Sequence, residues 1–279
     1  MVKLRISIMI FISIATLHVS AIEIKKDFRQ YYPERGAADI APCSDWNEGM
    51  YSGNGTMGAV LFGTPDNTHI SISHEKFFLP LGTNEYLPEF GPYLPEMRKI
   101  IDRGPEASDE AQTFFYEKFT ELGFGGFAWT NPFHKAFNLS ISINKSDVER
   151  SKYLRTTNFE TGEVSTYWKN KQNGKSYSTQ MFVSRVDSLL VFKIEGDSPI
   201  SADIYLSDYV NDKVIPEISG DENYLYFHSL YKYNKKDFKG YDGIVKVQHT
   251  GGTQIFNPQN NTITVEGCLL YTSPSPRDY

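Results

Sequence analysis

The chain has 279 residues, of which 40% are hydrophobic and 22% are charged, and its formal net charge is −6. This composition supplies enough apolar side chains for a packed core and excludes wholesale disorder, while an acidic balance without a basic stripe argues against a nucleic-acid partner. Two cysteines exclude a disulfide-dense miniprotein, and 18 Tyr together with 19 Phe residues favour β structure.

The N-terminal segment has the pattern of a secretory signal. Lys3 and Arg5 form a positive start, residues 6–19 are largely apolar, and residues 19–21 are small or permissive side chains of the kind that precede a cleavage site. The alternative is a membrane anchor, which fits less well because a span needs about 20 apolar residues. We therefore expect residues 1–21 to be a signal peptide, the protein to be secreted or periplasmic, and no membrane partner.

The C-terminal residues 268–278 have the sequence CLLYTSPSPRD. This string is similar to the conceptual translation of a transposase adapter used in sequencing libraries. The alternative is a genuine Ser/Pro-rich tail, but the strand pattern of residues 261–266 stops before it without a turn. We therefore expect residues 268–279 to be an artefactual tail, and residues 22–267 to be one domain of a longer protein.

Two strands and two helices are predicted in the first half of the chain. Residues 57–62 and 68–73 have strand composition, and the Thr-Pro-Asp-Asn sequence of residues 64–67 has the composition of a turn. After a loop rich in Pro and Gly, a first helix begins near Pro95. A second helix carries apolar residues on one face, from Ala107 through Leu122.

From residue 137 to residue 266, hydrophobic and polar residues alternate with a period of two, which is typical of strands with one buried face. Turn sequences such as Asn173-Gly174 and Gly251-Gly252 recur about every 8–12 residues. This spacing predicts a mainly β fold, a large antiparallel β-sandwich with a short helical insertion at about residues 94–122. No internal repeat or linker is evident, so we expect a single domain.

Residues 53–58 match the G-x-G-x-x-G pattern of dinucleotide-binding loops. That function requires a strand before the motif and a helix after it, whereas β-prone residues 59–62 follow here. We interpret the motif as a tight turn that leads into a strand, and we expect no cofactor. A metal site is not indicated either, because His74-Glu75 lacks a second His four residues on and the six His are scattered.

Sugar stacking is one interpretation of several aromatic residues, with packing in the core or at its rim as the alternative. For the tyrosines of residues 224–233 we favour core and rim packing. Trp46 and Trp129 stay open, since both lie in loops. A carboxylate pair for glycoside hydrolysis is not located by the sequence, because the distance between two carboxyl groups is a three-dimensional quantity.

A resemblance to a known family lies in the segment that contains Trp46. The tryptophan and acidic residues of residues 45–50, followed by the GNG-x-x-GA-x-x-FG pattern of residues 53–63, resemble the opening of glycoside hydrolase family 95. The family continues with a strand that ends in Asn-Glu before an aromatic residue. Here His74 and Glu75 stand at that place, so the Glu is kept and the Asn is replaced.

The resemblance spans about residues 40–210 and implies an N-terminal, non-catalytic β-sandwich of a secreted, inverting α-L-fucosidase-like enzyme that acts on oligosaccharides or glycans. In that family an (α/α)6 barrel follows and carries the general acid and the water-activating residues. No catalytic residue is therefore assigned to this chain, and we expect the fragment to be inactive without the barrel. The alternative function is a stand-alone secreted carbohydrate-binding or structural β-sandwich module.

A substrate or domain-interface group is expected at Trp46, Asn54, His74 and Glu75. In an antiparallel strand pair, the start of the first strand lies beside the end of the second, so Asn54 and His74 are expected to be neighbours. A neutral His beside a carboxylate orients a sugar hydroxyl or a barrel loop, and Trp46 offers an apolar platform. The alternative is structural, with a turn at Asn54 and the His74-Glu75 pair in a domain interface.

Overall fold

The computed structural model describes the chain in segments and divides it into two compact units. The strand unit comprises Met1–Phe77, His134–Lys232 and Lys236–Tyr279, and the helical unit comprises Phe78–Phe133 and Tyr233–Lys235. The described residues are 5–11, 28–79, 88–124, 132–143, 148–207, 214–232 and 240–268.

The described strands form two sheets. In chain order they are β1 (Arg5–Phe11), β2 (Gly36–Asp39), β3 (Met50–Gly53), β4 (Met57–Thr64), β5 (Asn67–Phe78), β6 (Phe133–Ile143), β7 (Val148–Asn158), β8 (Val164–Asn170), β9 (Ser176–Val183), β10 (Leu189–Gly196), β11 (Ile200–Ser207), β12 (Val214–Gly220), β13 (Tyr224–Tyr231), β14 (Gly240–Gln248), β15 (Thr253–Asn257) and β16 (Thr262–Cys268). The nine-stranded sheet has the order β12-β13-β14-β1-β10-β9-β8-β7-β2, and the seven-stranded sheet has the order β15-β16-β11-β6-β5-β4-β3.

The two sheets pack face to face, as the period-two pattern predicts. Along β11 buried and half-buried residues alternate strictly, so one side of the strand faces the core. Phe137 of one sheet lies 4.9 Å from Phe227 of the other, measured between ring centroids, and Phe77 lies 4.4 Å from Tyr241. The prediction of a mainly β sandwich is therefore confirmed.

The hairpin of β4 and β5 has the predicted turn. Its strands pair from Met57 opposite His74 to Thr64 opposite Asn67, which leaves Pro65 and Asp66 as a two-residue loop. The strands extend a few residues beyond the predicted bounds, because the ladder of backbone hydrogen bonds continues past the last apolar side chain of each segment.

β1 is a strand that the sequence does not predict, as are β2 and β3. It lies between β10 and β14 and runs parallel to both. Its residues, Arg5–Phe11, fall inside the segment that the sequence assigns to a signal peptide. A run of β-branched and apolar side chains has the composition of a strand as well as of a signal, so composition does not separate the two.

The helical unit contains the predicted insertion. Its α-helices are α1 (Leu94–Ile101) and α2 (Ser108–Glu121), and short 3-10 turns precede each. Ala111 and Phe119 of α2 are buried as expected, but Leu122 is exposed because it follows the last helical residue, and Phe124 is buried instead. Among the described residues, neither helix is long and apolar enough to cross a bilayer.

The last described strand runs one residue into the segment assigned to an adapter. Cys268 pairs with Ile200 of β11 and is fully buried. Residues 269–279 lie outside the described residues.

Candidate functional site

The glycine-rich motif forms the turn between β3 and β4, with no helix after it. The Asn54 Oδ1 accepts hydrogen bonds from the backbone N–H groups of Thr56 (2.9 Å) and Met57 (2.8 Å), and the Asn54 Nδ2 donates to the carbonyl of Ser184 (2.8 Å). Gly55 has φ = +93°, a left-handed conformation that glycine adopts at little cost. The motif is therefore a turn whose asparagine is fixed on both sides, as the tight-turn interpretation predicts.

Antiparallel pairing of β4 with β5 brings the Asn54 turn next to His74 and Glu75. Met57 is opposite His74, and the backbone N–H of Glu75 donates to the carbonyl of Thr56 at 2.8 Å. The structure thus places three of the four expected site residues at one end of this hairpin.

His74 is held as a neutral imidazole. Its side chain is buried, its Nδ1 accepts a hydrogen bond from the backbone N–H of Lys76 (3.2 Å), and its ring lies 5.5 Å from the ring of Phe77. Burial lowers the pKa of His74 below its usual value of 6.5, against the opposing effect of the Glu75 carboxylate. Glu75 itself is exposed, so it is the member of the pair that presents a charged group to solvent.

Trp46 lies toward the opposite end of the same hairpin. It begins a short 3-10 helix (Trp46–Glu48) that leads into β3, and Met50 at the start of β3 is opposite Leu61, four residues along β4 from Met57. Four residues of strand span about 13 Å. The expected grouping of Trp46 with Asn54 and His74 is therefore not observed, because β3 separates the two loops along its length.

Trp46 nevertheless is as exposed as expected of a ring on which a sugar stacks. Its side chain is 60% exposed, and Tyr51 on β3 is 65% exposed. The preceding Asp45 caps the helix by accepting from the backbone N–H of Asn47 at 2.9 Å. Trp129, the second open tryptophan, lies outside the described residues.

The sequence did not single out a buried cluster around His134. The His134 Nδ1 lies 2.7 Å from the carbonyl oxygen of Lys135, and its Nε2 lies 2.8 Å from the Tyr231 Oη. Because a carbonyl only accepts, Nδ1 carries the proton and Nε2 accepts from the tyrosine hydroxyl. Phe77 stacks on the imidazole at 5.4 Å, which links this cluster to His74.

Burial sets the ionisation of this cluster. It lowers the pKa of His134 below 6.5 and raises the pKa of Tyr241 to about 12. The Tyr241 hydroxyl donates to the carbonyl of Ala136 at 3.1 Å.

The tyrosines of residues 224–233 divide between the core and its rim. Tyr231 is a core residue, whereas Tyr226 is partly exposed and donates a hydrogen bond to Asp221 at the rim. Tyr233 lies outside the described residues.

Arg155 of β7 connects three residues at the edge of the sandwich, in the segment that includes Trp46. Its Nη2 contacts Asp39 of β2 at 2.5 Å, and its Nη1 donates to the Cys43 Sγ (2.6 Å) and to the carbonyl of Glu48 (2.7 Å). The guanidinium lowers the pKa of Asp39 below its usual value of 3.8 by hydrogen bonding. The segment from Asp39 to Glu48 is therefore fastened to the sheet through one side chain.

Within the part of the chain that the structure describes, no group of three or more His, Cys, Asp or Glu side chains is arranged to hold a metal ion.

The described residues form a two-sheet sandwich that carries a helical insertion and a glycine-rich hairpin. Residues 40–272 match the family model described as glycosyl hydrolase family 65, N-terminal domain, and the chain belongs to that family. No curated protein matches the chain.

Proposed function

We propose that the chain is the non-catalytic N-terminal sandwich of a secreted, inverting α-L-fucosidase-like glycoside hydrolase, whose catalytic (α/α)6 barrel lies in the polypeptide that follows. The observation that carries the proposal is the family match over residues 40–272 on a two-sheet sandwich. The finer assignment is supported by the family 95 resemblance of residues 45–63 and of Glu75.

The proposal assigns the chemistry to the barrel. Glycoside hydrolysis in its usual form requires two carboxyl groups on either side of the scissile bond, with room for a water molecule in an inverting enzyme. The role of the sandwich is then to support the barrel and to present loops to it. Glu75 is suited to that role, because it is exposed while the adjacent His74 and Asn54 fix the backbone around it.

The first experiment restores the complete coding sequence. Genomic DNA is sequenced beyond the codon for Gly267, and the complete mature protein is assayed with aryl α-L-fucoside beside a panel of other aryl glycosides. We expect further codons with helical apolar periodicity, fucoside turnover, and an inverted anomeric product by NMR. A stop codon directly after the sandwich, or robust turnover by residues 22–267 alone, would contradict the proposal.

The second experiment tests the site in that complete enzyme. We expect Glu75→Gln to lower kcat/KM tenfold or more at unchanged Tm, which corresponds to about 1.4 kcal/mol of transition-state binding. The matched control is Glu160→Gln, an exposed glutamate beside Arg35, which should change neither quantity. His74→Ala should lower the Tm, because the imidazole is buried. Unchanged kcat/KM in Glu75→Gln would leave this residue with no role in substrate turnover.

A second candidate function is a stand-alone carbohydrate-binding module, favoured by the exposed rings of Trp46 and Tyr51. Its test is a glycan array on the purified chain. Binding that Trp46→Ala abolishes and that Phe159→Ala, at a second exposed ring, leaves intact would support this function over the first.

A further inference from the structure

The nine-stranded sheet carries polar and aromatic side chains on its outer face, at one end of β13 and β14. Tyr224 is opposite Lys246 in the antiparallel ladder of these two strands, and Tyr226 lies two residues further along β13. Their neighbours Leu225 and Val245 are fully buried in the core. Because side chains alternate along a strand, the two tyrosines and Lys246 lie on the opposite, outward face.

The two tyrosine rings are held in place by their surroundings. Their centroids are 5.9 Å apart, with an angle of 24° between the ring planes. The Tyr226 hydroxyl donates to the Asp221 Oδ2 at 3.0 Å, and the Asp221 Oδ1 accepts from the backbone N–H of Tyr224 at 2.9 Å. The Lys246 ammonium lies 5.9 Å from the centroid of the Tyr224 ring. This corner of the sheet therefore has an ordered aromatic surface, which loses little conformational entropy on binding.

An open cleft of ≈ 360 Å³ lies at the same corner. Its volume falls within the range of small-molecule sites, about 300–1,000 Å³. The cleft is lined by one aromatic ring, one ammonium, two amides, an imidazole and a valine, from Tyr224, Lys246, Asn223, Gln248, His249 and Val247. A ring beside several hydrogen-bonding groups is the composition of a site for a polar ligand with an apolar face.

The polar groups of the cleft keep hydrogen-bonding capacity for a ligand. Within the part of the chain that the structure describes, the Lys246 ammonium, the Gln248 amide and the Tyr224 hydroxyl have no hydrogen-bond partner. The His249 Nδ1 is 2.8 Å from the carbonyl oxygen of Gly251, so Nδ1 carries the proton. An ammonium only donates, whereas an amide and a hydroxyl both donate and accept. A ligand rich in hydroxyl groups satisfies all three together.

We propose that this cleft, at the outer corner of β13 and β14, is a glycan-binding site that takes a neutral oligosaccharide. A sugar has hydroxyl groups around its ring and an apolar face of C–H groups, which match the polar groups and the Tyr224 ring. Asp221 and Glu222 in the adjoining turn offset the charge of Lys246, which favours a neutral ligand over an anionic one. The site is formed by residues other than Trp46 and does not depend on the fucosidase assignment.

The first test is an NMR titration of the isotope-labelled full chain. The neutral probes are fucosyllactose and cello-, xylo- and laminari-oligosaccharides, and an oligogalacturonate is the anionic probe. At least one neutral probe should shift the amide resonances of residues 221–226 and 244–249 and leave those of residues 46–51 unchanged. No shift with any neutral probe at millimolar concentration, shifts confined to residues 46–51, or binding of the oligogalacturonate alone would overturn the proposal.

Variants test which side chains bind the oligosaccharide that gives the largest shifts. Tyr224→Ala should raise its Kd about tenfold or more, whereas Tyr224→Phe should retain most of the affinity because it keeps the ring. The matched control is Trp46→Ala, at another exposed ring, which should leave the Kd unchanged. An unchanged Kd in Tyr224→Ala, or loss of binding in Trp46→Ala, would overturn the proposal. Fucoside turnover by the complete enzyme is measured separately, so the proposed function stands if this site fails.

Discussion

The Nε2 of His134 and the hydroxyl oxygen of Tyr231 are 2.8 Å apart, although 97 residues separate them along the chain. Both lie where the chain passes between the two units: His134 directly follows the helical unit, and Tyr231 precedes Lys232, the last residue before the chain leaves again. Phe77, which stacks on His134, is the residue from which the chain first enters the helical unit. One hydrogen bond and one ring contact thus connect strand ends at which the chain leaves or re-enters the strand unit.

Tyr231→Phe should destabilise the protein by about 1–3 kcal/mol, because the buried Nε2 of His134 then has no donor. The measurement is the free energy of unfolding in urea. The matched control is Tyr226→Phe, which removes a hydroxyl that bonds Asp221 at the exposed rim and should change stability by less than about 0.5 kcal/mol. If the two variants lose the same free energy of unfolding, the hydrogen bond to His134 contributes no more to stability than the exposed bond to Asp221.

Stability should fall as the pH drops below 6.5. Burial lowers the pKa of His74 and of His134 in the folded state, so the unfolded chain binds protons more readily than the folded one. The contribution of both residues is therefore complete above pH 6.5 and is lost as the pH falls toward and through the folded-state values. The slope is at most about 1.4 kcal/mol per pH unit for each histidine.

Unfolding free energies between pH 8 and pH 5 measure this loss, and His74→Gln should reduce the slope. Asp39 affects stability in a separate, lower pH range. Arg155 lowers the pKa of the Asp39 carboxyl, so the contribution of Asp39 to stability is lost only as the pH falls below 3.8, the usual pKa of this group. A stability that is flat from pH 7 to pH 5 would contradict the assignment of neutral, buried histidines.

Arg155→Ala should cost about 2–3 kcal/mol, because the side chain makes three hydrogen bonds, one of them to a carboxylate. We also expect faster hydrogen exchange at Ala37 and Ala38 of β2, whose strand is held at the sheet edge by the same residue. The matched control is Arg35→Ala: its guanidinium is largely exposed and 4.0 Å from Glu160, so its loss should be close to zero. If the β2 amides remain protected from hydrogen exchange in Arg155→Ala, backbone pairing alone holds β2 at the sheet edge.

Asn54→Ala should destabilise the fold by about 1–3 kcal/mol and loosen the β3–β4 turn, because two backbone donors and the carbonyl of Ser184 lose their partner. Asn257→Ala is the control, since Asn257 accepts only one local hydrogen bond in an exposed turn. Chemical denaturation of both variants gives the comparison, and a smaller loss for Asn54 than for Asn257 would contradict the tie to Ser184.

The local sequence pattern was sufficient to predict many elements of the fold, although not β1, β2 or β3. The period-two alternation around Ile204 and Leu206 predicts β11, the Thr64–Asn67 composition predicts the hairpin loop, and the antiparallel rule predicts that His74 lies beside the Asn54 turn. Each of these depends on side chains close in sequence or on one strand pairing, so no long-range information is needed.

The remaining features depend on contacts between distant segments. The bond from His134 to Tyr231 has no local signature, because it requires the pairing order of both sheets. The sequence predicts loops around both Trp46 and Asn54, and β3, which it does not predict, separates the two residues. The strand character of Arg5–Phe11 was hidden by a composition that suits a leader equally well.

Because both cysteines are buried, the rates at which their thiols react report on local opening of the structure. The chain has two thiols; Cys43 is 4% exposed beside Arg155 at one side of the sandwich, and Cys268 is fully covered in β16 at the other. A thiol reagent can react with either only after the surrounding strands separate. The rates at which an aromatic disulfide labels the two sulfur atoms therefore measure the opening of each side separately, without an introduced probe.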